Sequence, residues 1–529
     1  MDFKTVFFFL SSITIFSVIS VTGGNSTFQV AQIHCNGTLY PSLCMSMVSS
    51  IPEVKSKSLP HVISHIIAHT TIAVRRSSRK CSKLLHKRHR HLQLRQRLAL
   101  TDCLELFDST IEDLESARFD MLSTTDVSSY YHDLQTILSA GITNQGTCLD
   151  GFSDDSLRYS ISKGVRHISQ LVSNSLAMSK KLDNGAGSEM FYRGGFPEWM
   201  TRKDRRLLQS PLESMKIDLV VAKDGTGDYK TISEAVAAAP NKSKTRFVIY
   251  IKKGGYFENV DVPSYKPNLM FIGDGMWKTV VKSYRNVVDG WTTFRSATVS
   301  VVGNGFLARD MTFQNSAGPS KHQAVAFRSD SDLSAFYRCS FAAFQDTLYV
   351  HSFRQFYRDC TVYGTVDFIF GDGAVILQNC QLYARKPNPG QMNIFTAQGR
   401  QDPNQNTGIS IQNCKMAAAS DLIPVQHSFK TYLGRPWKKY SRTVVMGSYL
   451  DDLIDPSGWK KWSGNFALST LYYGEYNNRG PGSNTKRRVT WPGYKVIVNT
   501  TEASQFASGT FIQGEDWLPL TTFPYASDV

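Results

Sequence analysis

Two aspartates stand 21 residues apart: Asp346, within Gln345-Asp346-Thr347-Leu348-Tyr349, and Asp367, within Gly364-Thr365-Val366-Asp367-Phe368-Ile369-Phe370-Gly371. The same interval separates Cys339 from Cys360, so each aspartate follows a cysteine by seven residues. A chain coiling with that period would stack both carboxylates on one surface. There, different surroundings can make one an acid and the other a nucleophile. Asp367 lies among Val366, Phe368, Ile369 and Phe370, a setting in which a carboxylate is costly unless paired or hydrogen-bonded. A lone aspartate in a strand is usually a structural hydrogen-bonder. The partner one period earlier favours a site instead, because perturbed carboxylate pairs concentrate at sites. A carboxylate nucleophile there needs a cation beside it to stay ionised, and an arginine supplies one without losing its own charge.

The elements that must hold these residues follow from a weak repeat. Phe336-Tyr337-Arg338-Cys339, Phe356-Tyr357-Arg358-Asp359-Cys360, Leu377-Gln378-Asn379-Cys380 and Ile411-Gln412-Asn413-Cys414 each end on cysteine, at intervals of 21, 20 and 34 residues. Short runs such as Phe247–Ile251, Thr298–Val302 and Val375–Leu377 are rich in β-branched and aromatic residues, punctuated by Gly, Asn and Asp. A period near twenty with one longer loop marks a stacked coil. No helical crossovers separate the strands, so a parallel β-helix is expected rather than a sandwich or doubly wound sheet. Stacked cysteines could bridge coils: Cys339–Cys360 and Cys380–Cys414 compete with Cys360–Cys380.

The N-terminal half has a different pattern. Leu100, Cys103, Leu104, Phe107, Ile111 and Leu114 recur at helical spacing, as do Ile161, Val165, Ile168, Leu171 and Val172, with Val62, Ile63, Ile66 and Ile67 earlier. Breaks near 51–60 and 122–129 predict antiparallel helices, hence an all-α bundle over 30–182. The natural cysteine pairing is Cys35–Cys44 and Cys103–Cys148, leaving Cys81 over. Between Arg75 and Arg97 stand ten Lys or Arg and three His with no acid. A solvated helix face accounts for that stretch; contact with an anionic polymer or membrane is the alternative. Residues 183–216 read as a linker, and Arg205-Arg206-Leu207-Leu208 within it as a processing site, since an exposed segment enters a protease cleft at little cost.

The chain has 529 residues and a formal charge of +15, with 41% hydrophobic and 19% charged residues, which indicates a globular protein with a polyanionic partner. An apolar run from Val6 to about Val21 reads as a signal peptide or short anchor over 1–24. The sequons at Asn25, Asn36, Asn241 and Asn499 fit a secreted glycoprotein. A secretory route favours disulfides, disfavours nucleic acid and leaves an acidic extracellular polymer as the leading partner.

The stretches Gly254-Gly255-Tyr256-Phe257-Glu258, Gln323-Ala324-Val325-Ala326-Phe327-Arg328, Gln345 to Tyr349, Gly364 to Gly371 and Leu433-Gly434-Arg435-Pro436-Trp437 occur in order. Over about 217–525 they resemble the signature motifs of plant pectin methylesterases. The bundle with its Cys35–Cys44 spacing is similar to the pectin methylesterase inhibitor domain. The resemblance implies a right-handed parallel β-helix that hydrolyses the methyl esters of homogalacturonan in the cell wall, as a monomer without cofactor or metal. It implies Asp367 as nucleophile, Asp346 as acid/base, Gln323 and Gln345 as oxyanion donors and Arg435 as the group orienting the nucleophile. Thr293, Tyr349, Phe370, Tyr432, Trp437 and Trp462 would line the sugar cleft. It further implies proteinaceous inhibitors and a processing subtilase as partners, and a bundle that restrains the enzyme until it is cut off. Asp372-Gly373 and Ala343 depart from the family pattern, which has Asn-Ala and Gly. Cys81 and the basic stretch do not map onto an inhibitor bundle.

Two other readings compete. A pectate-lyase-like β-helix would need carboxylates clustered for calcium, and none stand near Arg435 in the sequence. A non-enzymatic wall-binding protein would use the bundle and the positive charge. Zinc is disfavoured because His86, His89 and His91 lie among positive charges.

Overall fold

The computed structural model describes residues 22–88, 91–124, 130–153, 156–182 and 216–529. Residues 1–21 of the proposed leader, the Asn25 side chain, nearly all of the linker and the processing stretch Arg205, Arg206, Leu207 and Leu208 lie outside the described residues. Among the described residues no helix is long and apolar enough to cross a membrane.

The N-terminal half is helical. Helices α1 (Thr22–Cys35) and α2 (Pro41–Ser49) form a hairpin closed by the Cys35–Cys44 disulfide. Four longer helices follow: α3 (Leu59–Arg88), α4 (Leu94–Ser123), α5 (Tyr131–Asp150) and α6 (Ser156–Ser179). Each packs on its neighbour in sequence and α6 returns to α3, which closes a four-helix bundle. The apolar stripes read from the sequence form its core: Val62, Ile66, Leu100, Phe107, Leu114, Ile161, Ile168 and Val172 are all buried. Cys103–Cys148 ties α4 to α5. Cys81 is buried in the same core, and burial pushes its thiol up to about 12. It is therefore a packing residue rather than a nucleophile. Most cations of the basic stretch, including Arg75, Arg79, Lys83 and Lys87, face solvent on α3, with Arg75 paired to Glu115 at 2.5 Å.

From Leu219 onward the chain winds into a parallel β-helix with sheets of 11, 7 and 8 strands. The registers reproduce the repeat: Leu348 pairs with Ile369, Tyr357 with Leu377, and Leu377 with Ile411. The 34-residue interval is absorbed by loops 385–392 and 399–407 on either side of strand Asn393–Gln398. The polar residue before each repeat cysteine (Arg338, Asp359, Asn379 and Asn413) has φ between 49° and 57°, so every coil turns the same corner in the left-handed region. Inside, aromatic rings stack along the axis, with Phe336 over Tyr357 at 4.6 Å and 8°.

The repeat cysteines do stack, but the structure does not join them. Cys339, Cys360, Cys380 and Cys414 are buried free thiols, against the expectation of bridges between coils. An in-register parallel ladder directs successive Cβ atoms side by side, whereas a disulfide needs them to converge. Each sulfur finds a carbonyl instead: Cys360 Sγ donates to Phe336 O at 3.4 Å and Cys414 Sγ to Gln412 O at 3.2 Å. The chain denatured without reductant should therefore expose five titratable thiols, those of Cys81 and the four ladder cysteines. A thiol titration finding three or one would place a bridge in the ladder.

Candidate active site

The seven-stranded sheet carries the site. Asp346 and Asp367 each stand two residues before a strand, Leu348–Val350 and Ile369–Gly371, with φ of 62° and 51°. They occupy the same corner of consecutive coils. Aspartate tolerates this left-handed conformation better than most side chains. The Asp346 N–H donates to Val366 O at 3.0 Å, which fixes one corner above the other. Arg435 follows strand Thr431–Gly434, two coils further along. Its Nε donates to Asp367 Oδ1 at 2.8 Å and a terminal nitrogen to Oδ2 at 2.6 Å, a two-pronged bond.

Electrostatics separates the two acids. Burial pushes both carboxyls above their ordinary range. At Asp367 the Arg435 guanidinium opposes that rise, through both its hydrogen bonds and its charge. At Asp346 the neighbouring Asp367 charge adds to burial, and the proton is held well above the usual carboxylate range. The Asp346 carboxyl is thus raised further than that of Asp367, whose orientation Arg435 fixes.

An aromatic wall adjoins them. Tyr349 stacks on Phe370 at 4.2 Å, Trp437 meets Phe370 at 6.0 Å, and the Arg435 guanidinium lies 4.4 Å from the Trp462 ring centre. A cavity of about 360 Å³ brings together Thr293, Gln323, Gln345, Asp346, Tyr349, Asp367, Phe370, Arg435, Trp437 and Trp462. Tyr432 does not join that wall: it is buried in its strand, opposite Ile394, with the Lys460 ammonium 5.6 Å from its ring centre. Asn36, Asn241 and Asn499 are exposed, as glycan acceptors must be.

Four further residues of the cavity come from the bundle: Arg95, Thr147, Asp150 and Gly151. Helix α5 lies across the cleft on a single stripe. Thr143 donates to Asp372 at 2.7 Å, Thr147 bonds His351 Nε2 at 2.8 Å, and Asp150 receives Lys438 Nζ at 2.7 and 2.9 Å. These positions are three and four residues apart, so they share one helix face. Gly146 on that face lets the Gln401 amide approach; an added Cβ would stand 2.2 Å from it. Around the stripe, Arg295 pairs with Asp102 at 2.5 Å and also with Glu105, Arg354 pairs with Asp133 at 2.7 Å, and Ser173 donates to Asp402 at 2.6 Å.

Asp372, the departure from the family motif, is part of this contact. It is buried and also accepts from Gln398, Gln405 and Thr407. Burial raises its carboxyl to about 6. The bundle residues at the cleft escaped the sequence reading. Their only signal is that α5 replaces apolar residues with Ser, Thr and Gly on a second face, as a helix buried on two sides requires.

The comparisons with known proteins agree with this geometry. Residues 218–515 match the family Pectinesterase, and residues 30–178 match Plant invertase/pectin methylesterase inhibitor. The protein is a member of the pectinesterase family, a carboxylic ester hydrolase with an inhibitor-family domain ahead of its β-helix. It is 50% identical over 525 residues to Pectinesterase 1 of Citrus sinensis, covering 95% of this chain and 89% of that one. Pectinesterase/pectinesterase inhibitor U1 of Solanum lycopersicum is also 50% identical, over 524 residues, with the same coverage. The solved pectin methylesterase from carrot is 62% identical, with a TM-score of 0.59, covering 60% of this chain and 99% of its own.

Arg435 compensates a buried charge, and its removal has a signed pH dependence. In Arg435→Ala the folded-state Asp367 carboxyl rises further, so protonation relieves the variant and ionisation burdens it. The stability deficit should be small near pH 4 and reach about 3 kcal/mol at pH 7, the order of cost for a buried charge without its partner. Urea midpoints of both proteins at the two pH values measure it. Equal deficits at both would mean that Arg435 contributes packing rather than charge.

Proposed function

We propose that this chain removes methyl groups from methyl-esterified homogalacturonan, with Asp367 as nucleophile and Asp346 as acid and base. The observation that carries this is the two-pronged Arg435–Asp367 bond beside a buried Asp346 in one cavity. The Asp367 carboxylate attacks the C6 ester carbonyl, and the carbonyl oxygen takes the electron pair. Gln323 and Gln345, on the cavity wall, donate to that oxyanion, each contribution being worth about 3 kcal/mol in such sites. As the tetrahedral centre collapses, Asp346 gives its proton to the departing methanol. Its carboxylate then takes a proton from water, which attacks the acyl-enzyme, releases the galacturonate and restores Asp367. The rings of Tyr349, Phe370, Trp437 and Trp462 give the sugars apolar faces to pack against, and Thr293 adds a hydroxyl.

The N-terminal bundle restrains this activity in the uncut chain. Supporting that reading, α5 runs over the catalytic cavity, and a polymer cannot occupy the volume of a helix. Acids of the bundle meet cations of the β-helix part, from Asp102 on Arg295 at one side to Asp150 on Lys438 at the other. Cleavage at Arg205 to Leu208 by a subtilase would separate the two parts, and the secreted β-helix would then act as a monomer in the cell wall, where proteinaceous inhibitors could meet the vacated cleft.

Methanol release from highly methylated pectin tests both parts, comparing the full chain, the segment starting at Gln209 and that segment with Asp367→Asn. The short wild-type segment should release methanol, the full chain much less, and the Asp367→Asn form none while remaining folded. Normal turnover by the variant would refute the nucleophile; equal release by full and short chains would reject restraint. No release by either wild-type form would bring forward the wall-binding reading.

Restraint should also weaken as pH rises. Burial raises Asp102 to about 6 against the opposing charge of Arg295, and raises Asp372 to about 6 against hydrogen bonds from Thr407, Thr143 and Gln405. Undocking exposes Asp102 and relieves the burial that raises it, so the docked form holds a proton there that the free form gives up; loss of the Thr143 hydrogen bond works the other way at Asp372. Docking is thus favoured below the ordinary carboxylate range and loses that advantage as pH passes 6. The ratio of full-chain to short-chain rate should be lower at pH 5 than at pH 7.5, and a ratio that falls with rising pH would contradict it.

A further inference from the structure

We propose that Lys438 is a specificity residue: it binds the free carboxylate of an unesterified galacturonate lying next to the ester under attack. The inference rests on the esterase reading above and adds what the enzyme prefers in its substrate.

Asp150 of the bundle lies in the same cavity as Asp346 and Asp367, and Lys438 holds both of its oxygens, at 2.7 and 2.9 Å. The precursor has thus placed a carboxylate in the substrate cleft. Lys438 has no other ion pair among the described residues, so departure of the bundle leaves its ammonium without an acid. The ammonium stands 4.8 Å from the Trp437 ring centre, and Trp437 belongs to the aromatic wall of the cavity. A sugar packed on that wall would bring its C6 substituent within reach of Nζ.

The chemistry of the polymer then decides what Lys438 reads. Each residue of homogalacturonan ends at C6 in either a neutral methyl ester or a carboxylate. An ammonium forms a charge-assisted bond with the carboxylate and only a weak one with the ester carbonyl. Lys438 lies in the coil of strand Thr431–Gly434, beyond Asp367 along the helix axis, so the sugar it reads is a neighbour of the one attacked. Asp150 imitates that neighbour.

The β-helix is a folding unit, since the whole carrot chain corresponds to this part alone. The segment from Gln209 can therefore carry the test, on pectin that is nearly fully methylated and on pectin partly de-esterified at random. Lys438→Gln should raise KM about tenfold on the partly de-esterified polymer, as expected for one lost charged hydrogen bond, and leave kcat unchanged. On the fully methylated polymer KM should move less than about twofold. Lys438→Arg should keep the preference, and Lys439→Gln, which removes the exposed neighbouring charge, should keep it too. In the wild-type segment the gap in KM between the two pectins should close between about 20 mM and 0.5 M salt. An equal KM change on both pectins, no change on either, or a gap indifferent to salt would overturn the proposal. Absence of methanol release by the wild-type segment from either pectin would instead overturn the esterase reading itself.

Discussion

The parallel ladder of the β-helix is the constraint on which the site depends. Strands in register place residues of successive coils about 4.8 Å apart along one axis. That spacing brings two carboxylates into one another's field without any contact designed for the purpose. It also means that neither can be moved alone: the Asp346 corner hangs from Val366, and the Asp367 corner belongs to the next coil. The ladder supplies the proximity, and Arg435, two coils away, supplies the asymmetry. Without the guanidinium both carboxyls would share the same buried environment; with it, the rise at Asp367 is opposed while that at Asp346 is reinforced by its neighbour.

The same stacking explains why four cysteines fail to bridge. A column that brings acids side by side also brings thiols side by side, and neither arrangement makes side chains converge. For the acids this is useful, since two carboxyls need proximity but not a bond. For the cysteines it leaves compact, weakly polar side chains that fill the column and donate to carbonyls of their own coil or the preceding one. Stability comes instead from the aromatic column inside and from buried pairs such as Arg488–Glu475, 2.8 Å apart and each 2% exposed, near the C-terminal end.

Much of this was legible in the sequence because a stacked coil converts spacing into adjacency. The 21-residue interval carried Asp346 to Asp367, and the order of five motifs led to Arg435, Gln323 and Gln345. Helical periodicity gave the bundle and its two disulfides. What could not be read is what depends on the docking of one domain on the other. Nothing in the spacing of Thr143, Thr147 and Asp150 announces a partner surface, because a stripe of small polar residues on a helix also describes a solvated face. Asp372 looked like a substitution within a turn, and its meaning lies in Thr143, 229 residues earlier.

A cleft built to bind a polyanion is open to imitation by any surface that presents carboxylates at matching places. The bundle presents Asp102 and Glu105 to Arg295, Asp133 to Arg354 and Asp150 to Lys438, while its own excess of Lys and Arg points away on α3. The basic stretch that fits no inhibitor pattern therefore does not oppose docking on a basic cleft, because charge is segregated between two faces of one bundle. On the reading proposed above, the Asp150–Lys438 pair would tie restraint to the substrate cleft itself. On that same reading, a change that strengthened the grip on pectin through Lys438 would also strengthen the grip of the bundle, so the two affinities would be coupled. With the tether cut, the bundle would become an ordinary competitor that the polymer could displace by concentration.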